Sequence, residues 1–219
     1  MLLHSLKSSV AMDTSSLFFI DITAAQPMQD ADLLRHLSFV PGLKEILILR
    51  QVHALEHATV WVLSGAKTAS ASPTKATSPV QLDNELLGGL STEKGFYLYG
   101  EVNISDLRRA AMLALHRLTH GEGDLAVHPR CGTNLSVAMV LTAGLAVGMH
   151  LLLPRGPIEQ LIGLGLAATT ACELAPDVGA SVQRYLTTSI PFNLEIDSIT
   201  RTRDIWGRDA HFIKVRWRD

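Results

Sequence analysis

The stretch LSVAMVLTAGLAVGMHLLL, from Leu135 to Leu153, carries no formal charge when His150 is neutral. Its 19 residues, at about 1.5 Å of rise each, span roughly 28 Å as a helix, close to the hydrocarbon thickness of a bilayer. Asn134 bounds it on one side and Pro154-Arg155-Gly156-Pro157 on the other, and a second apolar run, Ile158 to Ala175, follows. Two apolar runs joined by a Pro/Gly turn read as a helical hairpin inserted in a membrane, with lipid as its surroundings. Glu159, Gln160 and Glu173 interrupt the second run. They keep open a competing reading, a pair of buried core helices in a soluble cytoplasmic protein.

Arg108, Arg109, Arg117 and Arg130 precede the hairpin, Arg184, Arg201, Arg203 and Arg208 follow it, and Arg155 alone lies in its turn. By the positive-inside rule both flanks, and so both termini, belong on the cytoplasmic side of a bacterial-type membrane. Within the first run, Gly144 and Gly148 form a small-xxx-small pair. Such a pair offers a close-approach face to a protein partner.

Directly before the hairpin stands His128-Pro-Arg-Cys131-Gly-Thr-Asn134, and far upstream His53-Ala-Leu-Glu-His57. On a helix, His53 and His57 lie one turn apart on one face, the spacing two ligands of a tetrahedral zinc need. Glu56 sits beside them as the base does in the H-x-x-E-H zinc motif. Pro129 stiffens the second segment and Gly132 permits tight backbone approach, so that His128 and Cys131 can join the same ion. A thiolate among imidazoles disfavours magnesium and calcium and suits zinc or another transition metal. The expected metal set is therefore His53, His57, His128 and Cys131. Glu56 is either a catalytic base acting on water at the metal or a carboxylate that orients one imidazole.

The histidine pair lies on a long helix, Gly42 to Ser64, with Pro41 before its start and Gly65 at its stop. Its apolar residues cover most of the surface, and Arg50, His53 and His57 form a polar stripe that must face water or a polar site. The next residues, about 66 to 80, are mainly Ala, Ser, Thr, Pro and Lys and read as a flexible linker. Gly95 to Val102 (GFYLYGEV) reads as a strand, and Ser105 caps a helix over Asp106 to Thr119. Leu194 to Trp217 alternates around Trp206-Gly207-Arg208-Asp209 and reads as a β-hairpin. Residues 1–29 carry no committed pattern, and Met12 is an alternative start. His116 and His120 read as an exposed helix end, His150 as a packed or snorkelling residue, and Cys172 as a small core hydrophobe. Thr187 and Thr188 close the turn after Tyr185.

The chain is thus α+β and mainly helical. A metal-motif domain (30–134) is followed by the apolar hairpin (135–175) and a carboxy-terminal segment (176–219). A formal charge of -2 and a pI near 6.5 leave no basic footprint for nucleic acid. Two cysteines, Cys131 and Cys172, build no disulfide framework.

The order HALEH, GFYLYGEV, GEGDLAVHPRCGTN, apolar hairpin and QRYLTTS resembles a family of small bacterial membrane-linked proteins known as a domain of unknown function. It is also distantly similar to a larger family of bacterial integral-membrane proteins with HGAEHK, HxRCGT and LTT segments. The resemblance covers about Leu43 to Ser189 and singles out His53, Glu56, His57, His128, Cys131, Gly132, Thr133 and Asn134, with Glu122 a further candidate. It implies no chemistry. Two functions remain in view, a membrane-associated, peptidase-like zinc hydrolase and a non-enzymatic membrane scaffold with a structural zinc. A soluble α+β domain without metal is the third.

Overall fold

A computed structural model describes residues 29–71 and 86–218. The expected uncommitted segment lies outside them apart from Gln29, as does the linker beyond Ala71. Among the described residues the order is α1 (Gln29–His36), α2 (Leu43–Ala71), β1 (Gly88–Thr92), β2 (Gly95–Tyr99), α3 (Ile104–Thr119), α4 (Gly132–Leu152), α5 (Pro157–Val182), β3 (Leu194–Arg203) and β4 (Asp209–Trp217). The chain is α+β; its described residues form five α-helices and a small antiparallel sheet in the order β1-β2-β4-β3.

One face of the sheet meets α2 and α3. Phe96 and Leu98 of β2 oppose Ile213 and His211 of β4, and the alternation of a strand turns all four to the same side, where they are buried. In β3 the pairing slips between Ile196 and Ser198. This bulge, at Asp197, keeps Ile196 opposite Val215 and Ile199 opposite Ile213, so both isoleucines face the core although three positions separate them. Val52, Leu55, Leu107 and Leu118 close the core from the helix side. The expected polar stripe on α2 is left over from that packing.

α2 continues through Gly65 to Ala71, past the expected stop. A helical glycine costs only about 1 kcal/mol relative to alanine, and Ala66, Lys67 and Ala69 favour continuation while the next proline is Pro73. α3 is capped by Asn103, whose side chain accepts from the Ser105 N–H at 2.8 Å. Ser105 therefore stands inside the first turn and is not the cap. The β-hairpin appears as expected, and Asp204 organises its turn, accepting from the Trp206 and Arg208 N–H groups and from the Arg208 guanidinium. Burial alone pushes this carboxyl up. The hydrogen bonds from Arg208, Tyr99 and Trp206 overcome that and bring it down to about 2.

α4 and α5 form the expected helical hairpin around Pro154 to Pro157. Both are long and apolar enough to cross a membrane, with mean hydropathy of 2.0 and 1.3. α5 turns Gly163, Ala167, Ala171, Ala175 and Gly179 to its buried side, one every fourth residue, and this seam seats α4. A Cβ at Gly163 would meet Leu153 and Met149, and one at Gly179 would meet Asn134. Gly144 and Gly148 lie elsewhere, with open space beside them. The outward faces carry exposed Leu135, Met139, Val140, Leu161 and Leu166. Cys172 is exposed on α5, not in a core, because it falls one position past the seam residue Ala171. His150 shares a hydrogen bond with Gln160 at 2.8 Å near the hairpin turn.

Candidate metal centre

The first turn of α4 and the last of α5 come down beside the polar stripe of α2. α2 supplies two imidazoles. The His53 Nδ1 lies 3.0 Å from the Thr187 carbonyl and the His57 Nδ1 lies 2.7 Å from the Ala126 carbonyl. A carbonyl only accepts, so both rings carry a proton on Nδ1, and in the neutral imidazole that tautomer leaves the Nε2 lone pair free for a metal. This is how metal-binding histidines are commonly held, with the far nitrogen anchored by backbone. The Cys131 Sγ stands 3.2 Å from the His53 Nε2, and one ligand atom from each of His53, His57 and Cys131 lies within 4.8 Å of the others. Ligand atoms around a tetrahedral zinc, with bonds of about 2.0–2.3 Å, sit roughly 3.5 Å apart. The trio's spacing, at most 4.8 Å, exceeds that by no more than about 1.3 Å.

Cys131 is also the amino-terminal cap of α4, its sulfur accepting from the Thr133 N–H. Burial pushes its thiol up, but the hydrogen bond and charge of His57 and the contacts of Thr133 more than reverse this. The net effect favours thiolate, the form that binds metal. Gly132 has nothing within 4 Å of where a Cβ would stand. The tight approach expected there is absent.

The structure does not bring His128 into the trio. Its ring packs on Trp61, with centroids 4.6 Å apart, and its centroid lies 5.7 Å from that of His57. Its Nδ1 accepts from the Arg130 N–H at 3.3 Å. The imidazole therefore belongs to the wall of the site. Glu122, carried by the resemblance alone, is exposed and paired with Arg117. His116 and His120 stack at the exposed end of α3, centroids 3.9 Å apart.

Glu56 is buried beside the trio. The Ser91 hydroxyl donates to its Oε2 at 2.5 Å. Gly89 leaves room for the rest of the carboxylate, since a Cβ there would lie 2.1 Å from Oε1. Gly89 pairs with Leu98 and Ser91 with Phe96, so both open onto the inner face of the sheet, where α2 passes. Burial raises the Glu56 carboxyl above its ordinary value, and Ser91 and the charge of His53 offset this only in part.

Behind this arrangement stands Gln183, fully buried in a π-helical turn, Gln183–Thr187, that ends α5. Its Oε1 accepts from the His128 N–H at 2.8 Å, and its Nε2 donates to Asn134 at 2.7 Å. Its carbonyl accepts from the Thr188 N–H and hydroxyl. Asn134 in turn donates to the Pro129 carbonyl. The widened turn presents the Thr187 carbonyl to His53. π-Turns are rare and recur at functional sites. The sequence alone assigns no role to Gln183, Ser91 or Gly89, and in it Thr187 reads only as closing a turn. The QRYLTTS segment was the available signal.

A cleft of about 750 Å³ reaches His53, Glu56, His57 and Cys131 from outside. Residues 48–199 match the family described as domain of unknown function (DUF6391). The chain is 48% identical over 199 residues to an uncharacterized protein of Picosynechococcus sp., which covers 91% of this chain and 94% of that protein. No solved structure matches. The matched region contains α2 from Ile48, both motif segments, the hairpin and the π-turn, so the chain belongs to the DUF6391 family.

Proposed function

We propose that the protein is a metal-dependent hydrolase of a carboxyl derivative, an ester or amide, anchored by its α4–α5 hairpin in a cytoplasmic-type membrane with the site on the cytoplasmic side. The observation that carries this reading is the convergence of two backbone-anchored imidazoles and a cysteine sulfur in an open cleft. Three protein ligands with a solvent-facing fourth position characterise catalytic zinc, whereas structural zinc is saturated by protein. His53, His57 and Cys131 would hold the ion, and His128 would line its surroundings. Bound there, zinc would polarise the substrate carbonyl and acidify water. Glu56 takes the proton of that water while its hydroxyl adds to the carbonyl carbon. It then returns the proton to the leaving nitrogen or oxygen as the carbon–heteroatom bond breaks. Its raised carboxyl suits both transfers. Ser91 and Gly89 fix its position.

Metal analysis of the purified protein tests the reading. We expect about one zinc per chain, lost in His53→Ala and Cys131→Ser and retained in Glu56→Gln, which abolishes turnover of ester and amide substrates. Glu56→Gln with weakened metal retention, by about 10- to 100-fold, would make the carboxylate an orienting group and the zinc structural. A metal-free protein whose fold is indifferent to His53→Ala would overturn the site.

A further inference from the structure

The cleft is lined by His57, Cys131 and Glu56 and also by Ile46, Leu49 and Leu186. On α2, Ile46 and Leu49 lie about two turns and one turn before His53, while Leu186 adjoins Thr187, whose carbonyl meets His53. Ile46, Leu49 and Leu186 are large apolar side chains left 57%, 40% and 67% exposed. Ile46, Leu49, Arg50 and His53 follow one another along one face of α2 at helical spacing. Ile46 to His53 is roughly 10 Å of helix rise, so an elongated molecule lying on this face would touch hydrocarbon at one end and the ligand trio at the other. Between them the Arg50 guanidinium is held by the carbonyls of Tyr185 and Thr188.

The cleft borders the foot of the hairpin. Gly132 and Thr133, at the start of α4, and Leu186 and Thr187, at the end of α5, line the same cleft. Exposed Leu135 begins the outward face of α4 and half-exposed Tyr185 flanks the other foot. Tyrosine at such a foot suits the headgroup level of a membrane. A pocket of this volume is of the size that small ligands occupy, too small for a folded partner and wide enough for one flexible chain.

We propose that the cleft receives the acyl chain of a membrane amphiphile, seated over Ile46, Leu49 and Leu186, with the carboxyl-derived end of that chain presented to His53, His57 and Cys131. This names the substrate class of the hydrolase proposed above and rests on the membrane placement in that reading. The chain enters laterally at the hairpin foot. Its removal from bulk lipid costs little, because one apolar environment replaces another.

The test uses the full chain reconstituted in phosphatidylcholine vesicles that contain a trace of phospholipid with a diazirine near the end of one acyl chain. After irradiation, labelled peptides are mapped by mass spectrometry, and vesicle flotation and zinc content are measured on the same sample. Label is expected on the Ile46–Leu49 segment and on Leu186 as well as on α4 and α5. Leu49→Asp should cut cleft label at least about five-fold and leave hairpin label, flotation and zinc unchanged. Leu186→Asp, on a different element, should do the same and guards against misfolding of the first variant. Label confined to the hairpin, or cleft label indifferent to both variants, overturns the proposal while zinc and flotation stand. Cleft labelling by a diazirine-bearing transmembrane peptide and not by phospholipid would overturn it in favour of a protein segment. Failure of flotation overturns the membrane reading itself, and loss of zinc alone overturns the metal reading.

Discussion

Glu56 is the residue whose environment is most at odds with its charge. Its carboxyl lies under the sheet with one hydroxyl donor, Ser91, and burial raises it above 4.5. The folded chain therefore holds a proton that the unfolded chain has already released. Its stabilising effect is complete below about 4.5 and is lost as pH rises through the raised value. In metal-stripped protein, Glu56→Gln should remove that dependence and raise Tm on its alkaline side. A thermal-shift series from pH 4 to 8 checks this. Parallel curves for parent and variant would show that the carboxylate is solvated. Gly89 belongs to the same balance, because Gly89→Ala places a methyl where Oε1 stands and should move Glu56 off Ser91.

At the scale of elements, the readable features were those with a strong period or an unbroken composition. The α4–α5 hairpin, the body of α2, α3 and the carboxy-terminal β-hairpin all declare themselves in apolar spacing and turn residues. β1 does not, since Gly88 and Gly89 are poor strand formers. Its reason for being glycine is the carboxylate of another element. Three of the four expected ligands converge, because His53 and His57 are fixed by helical spacing and Cys131 by capping α4. His128 diverges because Trp61 and the backbone of Arg130 claim its ring, and neither contact follows from spacing. The π-turn was invisible for the same reason, its logic residing in long-range partners of Gln183. Gln183→Ala should strand the buried His128 N–H, at about 1–3 kcal/mol, remove the donor to the partly buried Asn134 Oδ1, and loosen zinc retention. Denaturant unfolding and metal competition measure the two effects. A change in stability without a change in zinc would confine Gln183 to folding.

For the whole molecule, the division is between a core closed by α2, α3 and the sheet and a hairpin whose outer faces are apolar and exposed. No α4 residue is fully buried, which is unlike a core helix. We expect the protein to remain with the lipid pellet after carbonate washing and to need detergent for extraction. A monodisperse preparation without detergent would instead call for a second copy or partner covering Leu135, Met139 and Leu161.

The trio is divided among parts of the chain that are synthesised far apart. α2 brings two imidazoles early, Cys131 follows at the root of α4, and the Thr187 carbonyl that aligns His53 emerges only after α5. On the proposed reading, metal capture would wait for the hairpin to be completed, and a nascent chain halted before Gln183 should hold zinc poorly even though His53, His57 and Cys131 have already been made. Pulse-labelled truncations released from ribosomes, assayed for retained metal, would time the event. On that reading, such an order would keep the ion from a chain whose hairpin is unfinished.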